Sequence, residues 1–166
     1  MPSAKDIILA QLKMGEGLIG MFTADLSDQE YFRPAADGTN HAAWILGHLA
    51  CTEDWAVSAL TGVDNRIPDS TRDLYRGSSK CLPDATKYAS RKEIDEMFST
   101  ARARTIEALN HADEARWEDV SLDAFPKPFF ATVGAVWGIQ ATHQFWHIGQ
   151  LTTCRAAMKK KPVLFQ

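Results

Sequence analysis

Apolar positions along this chain recur mostly at steps of three and four. Ile8, Leu12, Gly15, Ile19 and Phe22 form one such stripe, behind Ser3, a residue type that caps helix starts. A second stripe, Trp44, His48, Cys51 and Trp55, lies within a helix predicted over about residues 40–60, with Thr39 or Asn40 as its cap and Gly62 as its stop. Ser90-Arg91-Lys92-Glu93 has capping-box spacing and precedes Ile94, Met97, Phe98, Ala101, Thr105 and Ala108. A fourth helix is predicted from near Thr132 to about Met158. Val136, His143 and Gln150 form one of its stripes, and Val133, Gln140, His147 and Cys154 another. Strand-type alternation is scarce. The economical way to bury four amphipathic helices is an antiparallel four-helix bundle, so the chain is predicted to be all-α, with residues 1–166 as a single domain.

The connections differ in character. Residues 28–38 read as a loop, broken by Pro34 and Gly38. Residues 61–89 are long and irregular, with Pro68, Gly77 and Pro83. A connection of that length is often functional or partly helical; it covers a site, meets a partner subunit, or is a mobile surface loop. Residues 113–130, with Pro126 and Pro128, lead into the last helix.

Composition narrows the function classes. The 45% hydrophobic and 23% charged fractions are ordinary for a globular protein. Net charge is −3, and the basic cluster Lys159-Lys160-Lys161 is short and suits a helix C-terminus, so no nucleic-acid partner is expected. The first six residues lack the apolar run of a secretory signal, and no apolar stretch is long enough to span a bilayer. Cys51, Cys81 and Cys154 are odd in number and have no CxxC spacing, which fits free thiols in a reducing, cytoplasmic compartment.

The chemistry concentrates in His143-Gln144-Phe145-Trp146-His147. Two histidines four apart on a helix project from one face, one turn apart, so both rings can reach one metal ion. The other reading of the pair is two half-buried imidazoles satisfied by polar neighbours. Zinc proteases need a Glu directly after the first His as general base; Gln144 cannot serve, which disfavours a protease. His48, in a tryptophan-rich stripe, is either a core histidine with a hydrogen-bond partner or a third ligand that meets the pair inside the bundle. His41 lies two turns earlier, about 10 Å along the helix, and reads as a rim or cap residue. His111 suits the C-terminal dipole of the third helix. Cys51 and Cys154 read as small buried thiols, with ligation an alternative for Cys51. Glu53 and Gln150 are candidates to orient a ligand imidazole through its second N–H, although Glu53 and Asp54 equally suit a solvated acidic face. Gly149 permits close approach of a neighbouring helix. Trp44, Trp55, Trp137 and Trp146 read as core residues, some of them lining a pocket.

Two blocks carry a family resemblance. Asn40-His41-Ala42-Ala43-Trp44-Ile45-Leu46-Gly47-His48-Leu49, and Thr132-Val133-Gly134-Ala135-Val136 leading into His143-x-x-x-His147-Ile148-Gly149-Gln150, together resemble the DinB/YfiT-like superfamily of four-helix-bundle metalloproteins. The resemblance implies a bundle with a distinctive helix order, commonly a homodimer. It implies one divalent metal ion, zinc, nickel or iron, on His48, His143 and His147. Three neutral imidazoles leave at least one position open for water or substrate. Relatives include transferases and isomerases that use low-molecular-weight thiols, and iron-dependent domains of sulfoxide synthases. The activity implied is metal-dependent transfer of such a thiol to a small-molecule substrate. The contrasting class is a stress-related bundle that binds or senses a ligand without turnover.

Overall fold

The computed structural model describes residues 1–121 and 130–164. Four long helices dominate: α1 (Ala4–Thr23), α3 (Ala42–Thr61), α5 (Arg91–His111) and α6 (Val133–Ala157). Two short ones, α2 (Asp28–Tyr31) and α4 (Asp69–Tyr75), lie in the connections. The described residues form no strand, only an isolated bridge between Val120 and Thr132. Part of the predicted connection at residues 113–130, including Pro126 and Pro128, lies outside the described residues.

Local chemistry sets the helix ends. Ser3 and Ser90 each accept from the backbone three residues on, and Asp6 and Glu93 reach back, forming two full capping boxes. Ser27 and Glu30 form a third and start α2, so the stretch read as a loop from Asp28 is helical at its beginning. Helix α3 starts later than predicted. Its cap is neither Thr39 nor Asn40 but His41, whose Nδ1 accepts from the Trp44 N–H at 3.0 Å. Gly62 ends α3 in the left-handed region, with φ 75°.

The expected uniformly antiparallel arrangement does not describe the packing. Helix α1 packs on α5 and α6, and α3 packs on the same two. Gln11 and Phe22 of α1 pair with Gln144 and Arg155 of α6 in ascending order, so these two helices run in parallel. The early part of α3 shares a core cluster with Ile94 and Phe98, whereas Leu60 packs near Leu109, so α3 and α5 also run in parallel. Lys5 bonds the Ala112 carbonyl and Arg91 the Thr23 carbonyl, so α1 opposes α5. Asn40 bonds Gln150 while Ala56 packs on Val136, so α3 opposes α6.

Parallel neighbours that follow one another in sequence need a connection that returns along the bundle. Residues 62–90 are that crossover, and they travel back up α3. Asp54 accepts from the backbone N–H groups of Arg66 and Ile67, both at 3.0 Å. The Tyr75 ring lies against Gly47. His41 Nε2 is 3.1 Å from the Leu82 carbonyl. Crossover numbers rise as α3 numbers fall. Ile67, Tyr75 and Cys81 are buried in the main core, so this segment is not a loose surface loop.

One buried cation ties the four long helices together. Arg102 of α5 is 0% exposed. Its Nε lies 2.9 Å from Glu53 Oε2 on α3, and its Nη2 bonds Glu53 Oε1. Its Nη1 bonds the Leu12 carbonyl on α1 and Gln144 Oε1 on α6, the latter at 2.8 Å. Gln144 in turn donates to the Gln11 carbonyl at 2.8 Å. Gly15 makes room for it: a Cβ there would lie 2.0 Å from the Gln144 Cδ. Gly149, by contrast, has no neighbour within 4 Å of its Cβ position, so no close helix approach occurs there. Removing one partner of a buried ion pair strands the other charge, at about 3–5 kcal/mol. Glu53→Leu and Arg102→Ala should each lower unfolding free energy by that amount in urea titrations. A loss below about 1 kcal/mol would mean the pair does not hold the core.

Candidate metal centre

His48 sits two turns into α3, and His143 and His147 lie one turn apart on α6, the helix that opposes it. The His48 ring stacks on Trp44, with centroids 4.8 Å apart and planes 11° apart. His48 Nδ1 is 2.6 Å from the Tyr75 carbonyl. A carbonyl only accepts, so Nδ1 carries the proton and Nε2 presents a lone pair. His147 Nδ1 is 3.0 Å from Gln150 Oε1. That oxygen also accepts from Asn40 Nδ2 at 3.2 Å, which orients the amide. His147 therefore also presents a bare Nε2.

The three Nε2 atoms converge. His143 Nε2 lies 3.3 Å from that of His48 and 3.0 Å from that of His147. A proton on His143 Nε2 can satisfy only one of these two contacts, whereas a cation at their centre satisfies all three nitrogens. Two imidazole nitrogens on one tetrahedral zinc, each at about 2.0–2.1 Å, lie about 3.3 Å apart. The donor set and its spacing are thus compatible with one divalent metal ion.

The electrostatics keep the donors available. Burial pushes His143 down to about 3, and the potential charges on His147 and His48 push the same way. Burial likewise lowers His147 to about 4, with His48 adding to it and the Gln150 hydrogen bond opposing. Burial lowers His48, against the bond to the Tyr75 carbonyl. All three rings are neutral near pH 7, as ligation requires.

The DinB superfamily model matches residues 11–151, which include all three histidines. The chain belongs to the DinB superfamily. A conserved protein from Enterococcus faecalis has a similar fold, with a TM-score of 0.76 at 19% identity, over 96% of this chain and 100% of that one. No curated protein matches the chain.

The remaining residues of this DinB domain fall away from the triad or behind it. Glu53, a candidate to orient an imidazole, points into the core and is consumed by Arg102; the Tyr75 carbonyl stands at His48 instead. Asp54 pairs with Arg104, so neither acid belongs to a solvated face. Burial drives the Cys51 thiol up to about 12, the signature of an inert core thiol. Cys154 Sγ donates to the Asn40 carbonyl at 3.1 Å. His41 is fully buried and satisfied at both nitrogens, by the Trp44 N–H and the Leu82 carbonyl. His111 Nδ1 bonds the Glu107 carbonyl at the end of α5. Trp44 and Trp137 are core residues, whereas Trp146 is 62% exposed, contrary to its core reading. With Trp55, Phe130, Ile139 and Gln140, Trp146 lines an apolar cavity of about 260 Å³ that His143 also borders.

Tyr75 and Asn40 were not legible as supports of the triad. Tyr75 acts through its backbone, which no side-chain pattern reports. The available signal was Gly47, a glycine in mid-helix beside His48, where a Cβ would lie 2.2 Å from the Tyr75 ring. Helix propensity favours Ala over Gly by about 1 kcal/mol, whereas forced overpacking costs about 1–3. Gly47→Ala should therefore displace Tyr75 and weaken metal binding by about 10–100-fold, the usual effect of losing a ligand's orienting partner. Competition titration with a chromogenic chelator reads it, and unchanged affinity would show that the Tyr75 carbonyl does not hold His48 in place.

Proposed function

We propose that this DinB protein is a metal-dependent transferase that joins a low-molecular-weight thiol to a small electrophilic substrate, with His48, His143 and His147 as ligands of one divalent metal. The observation that carries this reading is the convergence of three Nε2 atoms beside an apolar cavity. Zinc, nickel and iron all suit imidazole donors. His48, His143 and His147 would hold such a metal, whose Lewis acidity would make a thiol or water nucleophilic at neutral pH.

The chain's own residues do the rest. The Tyr75 carbonyl and Gln150 fix the tautomers of His48 and His147, so the bare nitrogens point inward without rearrangement. Gln150 and Tyr75 are the layer behind the ligands; Glu53 is not. The cavity walls, Trp55, Phe130, Ile139 and Trp146, offer a bound electrophile apolar contact. Among the described residues no carboxylate lines this cavity, which favours chemistry driven by an acidified thiol over hydrolysis by a protein base. The same absence favours the alternative of a non-catalytic ligand-binding or sensing bundle. The resemblance supports a homodimer. Three buried free thiols suit the cytoplasm, and no described helix is long and apolar enough to cross a membrane.

The test is consumption of glutathione, cysteine and related thiols with a chlorodinitrobenzene-type electrophile, using protein loaded with zinc, nickel or iron. Turnover that falls at least 100-fold in His143→Ala is the expected result, since one lost ligand removes the metal-derived acceleration. Binding of small molecules with no thiol consumption under any metal would leave the binding bundle as the correct class.

A further inference from the structure

The cavity between α3 and α6 has one polar feature that packing does not explain. Gln140 is 6% exposed and lines the cavity, yet its Oε1 has no hydrogen-bond partner among the described residues. Its amide nitrogen reaches the Val136 carbonyl one turn back, at 3.5 Å. That long contact sets the amide nitrogen toward Val136 and leaves Oε1 facing the cavity. A flipped amide would set oxygen against oxygen at Val136. A buried acceptor with no donor is costly, and native proteins rarely tolerate one without a use for it.

The other walls say what shape of group belongs there. Trp55 and Trp146 face the space from the two helices, with Phe130 and Ile139 beside them. The cavity is about 260 Å³. An apolar cavity of about 150 Å³ holds benzene, so this one has room for one or two fused rings. The exposure of Trp146 is consistent with a wall whose occupant is a small molecule.

We propose that this cavity is the substrate pocket, and that it selects a one- or two-ring apolar group bearing a single N–H or O–H donor, which Gln140 Oε1 accepts. The selectivity stands on the cavity alone; its use in catalysis rests on the transferase reading above. Gln140 is a positioning residue: it sets the orientation of the ring against His143, which borders the same space.

Indole and 1-methylindole are probes of nearly equal shape that differ in the donor. Their affinities would be measured by titration followed in nitrogen–proton NMR spectra, on metal-free and zinc-loaded protein. The expected result is indole binding about tenfold tighter than 1-methylindole, the worth of one net hydrogen bond, with shifts at the Gln140 amide and the Trp146 ring N–H. Gln140→Leu should erase that preference while keeping both ligands. His48→Ala should leave the preference intact; a wild type that keeps the selectivity yet takes up no metal would count against the transferase reading alone. Equal affinities in the wild type would overturn the proposal and assign the oxygen to solvent. Shifts at Trp146 that depend on protein concentration rather than on indole would overturn it in favour of a second copy of the chain.

Discussion

The Arg102 guanidinium is the fixed point of this fold. It lies where all four long helices meet and touches each: Glu53 on α3, the Leu12 carbonyl on α1, Gln144 on α6, and its own α5. A planar fork of donors can do this where an ammonium could not, because its hydrogen bonds leave in set directions. The consequence for the site is one of register. Glu53 lies five residues beyond His48, and Gln144 is adjacent to His143. Locking Glu53 and Gln144 to one cation sets the heights of His48 and His143 against each other. The buried charge contributes specificity here as much as stability, since only one sliding position of α3 on α6 satisfies it.

Helix direction has a second consequence. Because α3 and α5 run in parallel, residues 62–90 must return along the bundle, and they do so over the face of α3 that carries His48. Tyr75 arrives beside Gly47 and offers its carbonyl to the ring. The crossover that the topology requires thus completes the layer behind the triad. The other half of that layer is more local: Gln150 is one turn from His147 and is braced by Asn40 just before α3. Each ligand candidate with a defined tautomer owes it to an element other than its own stripe of apolar neighbours.

Much of this was legible in the residue order. The four long helices followed from their periodicity and capping chemistry, and the three histidines from spacing and the two motif blocks. Local pattern says which face of a helix is buried, but not which helix covers it or in which direction. For that reason the two parallel pairs escaped the pattern, and only the α1–α5 and α3–α6 pairs run antiparallel as expected. Glu53 misled for a related reason. On the helix it follows the His48 turn, but its partner, Arg102, is 49 residues away and no local signal marks it. Trp146 fits the pocket-lining side of its reading and not the core side, since it stands 62% exposed and borders the cavity, a difference that helix periodicity does not report. Backbone groups such as the Tyr75 carbonyl leave no trace in sequence at all, except where a glycine makes room for them.

The central claim is that three imidazoles, set by that framework, hold one divalent metal. Its most direct test is the metal content of tag-free protein, measured by elemental mass spectrometry beside His48→Ala, His143→Ala and His147→Ala. The account predicts about one metal ion per chain in the wild type and loss in each variant, as three-ligand sites require. A wild type that binds no zinc, nickel or iron even after reconstitution would contradict it, and the triad would then be a polar cluster within a bundle that works without metal.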